Sequence, residues 1–387
     1  MPRVSSKTVN TQEHLDTRER INLGSFYTPR RYVELAAEWL AEAGVAGGWT
    51  IADLSCGYGA FFALKEHPAL KDCRYLGNDI DEAAVAAARS FRSGVEWRVG
   101  NALSGVSREA FGFAADEKLA LVGNPPYNDI TSQARQALKG GCPEIDRELR
   151  TRDLGLSSLL AYGRLQADYV AVLHPLSYLV KKSNFRAAGR FFADYRLMKH
   201  IVFCSSEFSC TSKVSAFPVI AAFYRRTPGQ GITYDEIRET VFRSVEGDVF
   251  SIGAFDYVTE LIPKYPGTRR YSPEILFYTL RDINALKRSR TFISGRMPNA
   301  VDVPPELLEY YCYVDCFKRY ALTPYWMGNM NVPFIREEFQ LIAEDVKSDA
   351  FHNHPDIFGA HPAPSEAAVQ RIRSYISRAL TCRRFSR

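Results

Sequence analysis

With 387 residues the chain is long enough to bury a full core and to form two domains. Its 46% apolar and 24% charged residues exclude a disordered or fibrous chain. A net charge of +5 permits a polyanionic partner without demonstrating one, and the lack of an apolar run of about 18 residues or a signal-type N-terminus predicts a cytoplasmic protein without membrane contact. The eight cysteines are scattered without a CxxC pair or a histidine pattern at zinc spacing, so reduced thiols and no metal are expected.

Residues 1–23 are polar and aperiodic and read as an arm. In GSFYTPRRYVELAAEWLAEAG, Thr28 and Pro29 form an N-cap and N1 pair. Val33, Leu35, Ala36, Trp39 and Leu40 recur at helical spacing, which predicts an amphipathic helix behind a Phe-Tyr-Thr-Pro loop. Residues 50–64, TIADLSCGYGAFFAL, read as a buried strand, a tight glycine turn and a helix. Gly57 and Gly59 let the backbone approach a ligand where the helix presents free N–H groups. A lone G-x-G is weak; its position between strand and helix, with Asp53 at the strand's end, gives it weight.

About twenty residues on, RYLGNDIDEAAVAAAR repeats the strand and helix. Asp79 stands at the strand's carboxyl end, where a nucleoside-binding α/β fold takes two ribose hydroxyls, and Ile80 beside it can cover an adenine face. Asp81 reads as the helix N-cap. A third strand, VEWRVGNAL, ends at Asn101, whose amide can read an adenine edge.

The fourth strand, LALVGN, runs into Asn124-Pro125-Pro126-Tyr127. Two successive prolines remove two backbone donors and fix φ, so this peptide can be neither helix nor central strand. It forms a stiff ledge whose side-chain amide and proline-tethered carbonyls can accept two hydrogen bonds from an exocyclic NH2 while Tyr127 stacks on the attached ring. The plain alternative is a strand followed by a proline-rich turn. Four strands separated by helix-length segments predict a parallel, doubly wound sheet with its ligands at the carboxyl ends. Asp53, Asp79, Asn101 and Asn124 all fall there.

Residues 128–152 read as a polar loop of the kind that forms lids. A helix starts at Asp153, followed by the strand DYVAVLHP, in which His174 reads as a satisfied core histidine rather than a base. RLMKHIVFC is another strand, and SEFSCTSKVSAFPVIAAFYRR a loop containing Phe208 and then a β-rich run. So short a loop predicts an antiparallel hairpin that closes a seven-stranded sheet. Beyond residue 228 the alternation becomes irregular and aromatics interleave with arginines. Arg269-Arg270, Lys287-Arg288 with Arg290, and Lys318-Arg319 read as clusters able to meet phosphates, with a solvated basic face as the alternative for each. FHNHPDIFGAHPAP holds three histidines too irregularly spaced for a metal site.

Taken together, these residues resemble the γ-ordered N6-adenine DNA methyltransferases of restriction–modification systems, over roughly residues 24 to 225. The resemblance implies a Rossmann-like, seven-stranded class I fold dependent on S-adenosylmethionine over 24–228, and a mixed α+β target-recognition domain over 229–387. Tyr27 and Thr28 match the segment that closes over the methionine end of the cofactor. Asp53, with Ser55, Gly57 and Gly59, is similar to the family's glycine motif, with Asp53 towards the methionine ammonium. Asp79 matches the ribose ligand and Ile80 the residue packed on the cofactor's adenine. Asn101, followed by Ala102, stands where the family usually carries aspartate. Asn124, Pro125, Pro126 and Tyr127 match the catalytic motif, Asp153-Leu154 the helix start lining the cofactor pocket, and Phe208 the aromatic packed on the flipped base. Implied with these are double-stranded DNA as substrate, a cognate restriction endonuclease as partner, and no metal. Enzymes acting on RNA adenine or guanine or on a protein glutamine share the catalytic motif, and a non-catalytic specificity subunit would share the fold.

Overall fold

A computed structural model describes residues 28–127, 144–208, 216–262, 274–280, 290–298, 300–327 and 332–381. The N-terminal arm, Tyr27, most of the expected lid loop, Arg269-Arg270 and Lys287-Arg288 lie outside the described residues. The chain divides into two compact units. One runs through Ile237 and takes in Ser244–Glu246, and the other holds Arg238–Arg243 and the residues from Gly247 on.

The first unit is built from α1 (Arg30–Glu42), β1 (Thr50–Asp53), β2 (Arg74–Asp79), α2 (Glu82–Phe91), β3 (Glu96–Val99), β4 (Leu119–Gly123), α3 (Leu154–Arg164), β5 (Tyr169–Pro175), β6 (Tyr195–Cys204) and β7 (Pro218–Arg226). The strands form one seven-stranded sheet in the order β3-β2-β1-β4-β5-β7-β6. β1 runs parallel to β2 and β4, β4 to β5, and β2 to β3, whereas β7 is antiparallel to both β5 and β6. This is the expected Rossmann-like, seven-stranded sheet, closed by the hairpin of its last two strands. The order reverses between β1 and β4, and a crevice opens at the carboxyl ends of the strands flanking such a switch point. β1 and β4 are buried along their whole length, as their unbroken apolar runs require of central parallel strands.

α1 seats Tyr32, Val33, Ala36, Trp39 and Leu40 in the same core, with Tyr32 stacked on Phe203 of β6 at 3.8 Å. Its start differs from expectation. Pro29, not Thr28, is the N-cap; no side chain caps the helix, and the Pro29 carbonyl accepts from Tyr32 N. The Thr28 hydroxyl is engaged elsewhere, as described below. The helix expected after the glycine turn is a 3-10 helix, Ala60–Glu66. There Phe61, Phe62 and Leu64 are buried, with Phe62 edge-on to Tyr75 and Trp97, and the tighter winding lets three large side chains share one short segment. Asp81 caps α2 by accepting from Ala83 N and Ala84 N.

The second unit wraps α4 (Leu308–Tyr320), α5 (Ala343–Asn353) and α6 (Glu366–Thr381) around an aromatic-rich core that includes Tyr313, Phe317 and Tyr375. Short antiparallel ladders join Phe277–Leu280 to Ala300–Val303 and Asp256–Tyr257 to Pro333–Phe334. One basic pair expected to meet phosphate turns inward. Arg319 forms ion pairs with Asp315 at 2.7 Å and Asp349 at 2.6 Å, and the Lys318 ammonium donates to Thr291 Oγ1. Burial lowers the Lys318 pKa to about 8. Asp349 is almost fully buried, and an unpaired carboxylate there would be strongly destabilising, so Arg319 is held by the core. Arg290 stays exposed.

His174 is the buried core histidine expected from its strand. The Tyr224 hydroxyl lies 2.8 Å from Nε2 and the Pro175 carbonyl 2.9 Å from Nδ1, which fixes a neutral ring with the proton on Nδ1. Burial lowers its pKa from 6.5 to about 4. The unfolded chain therefore takes up a proton that the folded chain refuses, and stability is lost as pH falls from 6.5 towards 4, by roughly 3 kcal/mol in all. Urea unfolding of wild type and His174→Gln between pH 7 and pH 4.5 should show wild type losing stability relative to the variant as pH falls; parallel curves would contradict it.

Candidate active site at the switch point of the sheet

Asp53 ends β1 beside Val122 of β4, so the next two residues, Gly123 at the end of β4 and Asn124 beyond it, emerge alongside it. The Asp53 carboxylate is 2% exposed, and Ser55 N donates to it at 3.1 Å. Burial raises its pKa well above the ordinary carboxylate range, the Ser55 amide opposes the rise, and the charge of Asp79 adds to it. A Cβ at Gly123 would stand 3.0 Å from Asp53 Oδ1 and 3.1 Å from the Tyr162 hydroxyl. Glycine at this position therefore leaves both groups their space.

Asp79, at the end of β2, accepts from Gly57 N at 2.7 Å with one oxygen and from Asp81 N at 2.9 Å with the other. Burial raises its pKa too, against the pull of these donors. Gly57 and Gly59 both take positive φ, +49° and +72°. A Cβ at Gly59 would meet Trp97 at 3.0 Å, whereas one at Gly57 would meet nothing within 4 Å, so open space lies over the turn at Gly57. Ile80 is 61% exposed next to Asp79, an uncovered apolar side chain beside a half-buried carboxylate.

The Asn124 amide nitrogen donates to Thr28 Oγ1 at 3.2 Å, and the Tyr127 hydroxyl donates to Asn124 Oδ1. The amide thus places its NH2 towards the segment before α1 and its oxygen towards the ledge. Pro125 is buried and Pro126 half-buried, as a rigid peptide wedged against the sheet should be. Tyr127 packs on Phe217 and Phe208 with centroids 6.3 and 6.5 Å away. Phe208 is 1% exposed and edge-on to Phe203, so in this conformation it belongs to the core, and a planar ligand entering beside Tyr127 has to part the two rings.

Asn101 is committed locally. Its oxygen accepts from Leu103 N and its NH2 donates to the Glu144 carbonyl, with half-buried Ala102 between. Reading an adenine edge would require one of these bonds to give way. Asp153 caps α3, accepting from Gly155 N, Leu156 N and the Tyr178 hydroxyl, and this seats Leu154 in the core. The structure thus gathers Thr28, Asp53, Ser55, Asn124 and Tyr127 at the ends of β1 and β4, and joins the Gly57 turn to Asp79. Tyr162 of α3 went unremarked in the sequence because a tyrosine in an apolar helix reads as packing. Among the described residues, no cluster of three or more His, Cys, Asp or Glu could hold a metal, and no helix is long and apolar enough to cross a membrane.

No protein-family model matches the chain, and no curated protein matches it in sequence. Solved structures of similar shape include the methyltransferase subunit of a type I restriction–modification system from Streptococcus thermophilus, with 15% identity and a TM-score of 0.40 over 60% of this chain and 48% of that one. A TehB-like S-adenosylmethionine-dependent methyltransferase from Corynebacterium glutamicum has 17% identity and a TM-score of 0.29 over 50% of this chain and 88% of that one. Magnesium protoporphyrin IX methyltransferase from Synechocystis has 11% identity and a TM-score of 0.32 over 55% and 89%. Likeness this distant, to proteins named for such different roles, carries nothing about substrate.

The raised pKa of Asp53 makes its ionisation oppose folding. The stability it contributes is full below the ordinary carboxylate pKa of 3.8 and is lost as pH rises above that value. Asp53→Asn should therefore melt higher than wild type at pH 7, with the gap closing towards pH 4. A variant less stable than wild type at pH 7 would contradict the buried, unpaired carboxylate.

Proposed function

We propose that the chain is an S-adenosylmethionine-dependent DNA methyltransferase acting on the exocyclic N6 amine of adenine, as the modification enzyme of a restriction–modification system. The observation that carries this reading is the Asn124-Pro125-Pro126-Tyr127 ledge at the end of β4, its amide bonded to Thr28 and set beside the buried carboxylate of β1. The residues present fit the cofactor. Asp53 is a desolvated carboxylate suited to an ammonium, Asp79 presents a carboxylate beside the open face of Gly57, and Ile80 offers an apolar cover for a purine. When bound, S-adenosylmethionine supplies an electrophilic methyl on a sulfonium.

The adenine amine is a poor nucleophile because its lone pair is delocalised into the ring. Asn124 Oδ1 and the Pro125 carbonyl accept its two hydrogens, which draws the nitrogen towards sp3 and frees the lone pair. Tyr127, whose hydroxyl occupies Asn124 Oδ1 in the conformation described, gives up that oxygen to the amine and lays its ring on the base. The two prolines keep both acceptors fixed, and such positioning is worth roughly 7 to 11 kcal/mol. Reaching a base inside a duplex requires flipping it out, at a few kcal/mol. Phe208 takes its other face once the rings part. The second unit serves as the target-recognition domain, with double-stranded DNA as substrate and a cognate restriction endonuclease as partner.

With tritiated cofactor, wild type should label duplex DNA on adenine. Asn124→Ala should lose at least about a hundredfold in rate while keeping cofactor affinity. Label appearing on RNA or on a protein glutamine and not on DNA would overturn the substrate, and an active Asn124→Ala would overturn the site.

A further inference from the structure

Three described side chains of the first unit bury a polar atom that meets no hydrogen-bond partner, and two of them, Ser55 and Tyr162, belong to one place. Tyr162 is 1% exposed, and its hydroxyl and Asp53 Oδ1 together crowd the position over Gly123, 3.1 and 3.0 Å from where a Cβ would stand. Ser55 follows Asp53 by two residues and gives that carboxylate its backbone amide. The Ser55 hydroxyl is within hydrogen-bonding reach of the Tyr162 phenol at poor geometry, and neither group meets a further partner. A buried hydroxyl left unpaired costs about 1 to 3 kcal/mol, so a poorly paired couple flanking a desolvated carboxylate forms an expensive cluster within one fold.

The chemistry of the three groups specifies what would satisfy them. A buried carboxylate calls for a cation, and two O–H donors call for an anionic acceptor within a few ångströms of that cation. A free α-amino acid end, with ammonium and carboxylate on one carbon, supplies both. We propose that Tyr162, assisted by Ser55, binds the carboxylate of the amino-acid end of the cofactor, while Asp53 takes the ammonium. This rests on the cofactor reading above and deepens it. It makes Tyr162 a determinant of selectivity for an intact amino-acid tail over a nucleoside thioether or a decarboxylated one. α3 carries the residue and is pinned at its start by Asp153, so the hydroxyl is presented from a rigid element.

The test uses the full chain and three non-reacting probes measured by calorimetry: S-adenosylhomocysteine, its decarboxylated analogue and 5′-methylthioadenosine. Wild type should favour S-adenosylhomocysteine. Tyr162→Phe should weaken that compound about tenfold or more, as loss of a hydrogen bond to a charged group does, and leave the other two unchanged. Ser55→Ala should move affinities in the same direction by less, and it carries the test if Tyr162→Phe does not fold. Without ligand, Tyr162→Phe should melt no lower than wild type, since it removes an unpaired hydroxyl. Unchanged affinity for S-adenosylhomocysteine, or equal weakening of all three probes, overturns the role of Tyr162. If wild type binds none of the three, the cofactor reading itself falls, and this inference with it.

Discussion

A carboxylate buried at the end of the first strand sets the terms for everything around it. Asp53 is held where water cannot solvate it, between a strand fully buried on both faces and a fourth strand that passes beside it as glycine. Desolvation of an ion is among the largest penalties a fold can carry, and chains retain such groups where a partner of opposite charge repays the cost. The neighbouring carboxylate of Asp79 deepens the demand for positive charge and at the same time anchors the glycine turn through Gly57 N. The sheet order places this charge at the one reversal in strand sequence, where a crevice is a geometric consequence of the winding.

The ledge at the end of β4 answers a different physical problem. An amide has two similar ends, and a grip on an amine works only if the oxygen faces it. The Asn124 NH2 donates to Thr28 Oγ1 while the Tyr127 hydroxyl holds Oδ1, and Thr28 is available because the helix it precedes does without a side-chain cap. Stability that a threonine cap would give α1 is thereby exchanged for orientation at the site, a trade found where function and local preference disagree. The prolines contribute stiffness, and Tyr127 holds the acceptor oxygen and provides a ring beside it.

Much of this was legible in the chain itself. Unbroken apolar runs at 50–53 and 119–123, each ending in a polar side chain, announced central parallel strands, and the short loop before Phe217 announced the reversed one. Asp53, Asp79 and Asn124 could be placed because strand ends are where such folds keep their chemistry. Other features depended on contacts between distant segments. Thr28 was read as a local cap because sequence shows only neighbours, whereas its partner is 96 residues away. Tyr162 gave no signal because a hydroxyl in an apolar helix looks the same whether or not it finds a partner. Lys318-Arg319 looked like a phosphate contact until Asp349 on the neighbouring helix was found to join Asp315, one turn back, in pairing Arg319. The base recognition proposed for the second unit would rest on a few side chains whose identity no local pattern announces.

The account stands or falls on Asp53 and Asn124 facing the two ends of one reaction. A crystal structure of the protein with S-adenosylhomocysteine tests that most directly. It should show the amino-acid end on Asp53, the ribose hydroxyls on Asp79 and the sulfur turned towards the Asn124 ledge. A nucleoside bound away from the ends of β1 and β2, or an Asn124 amide turned from the sulfur, would contradict it.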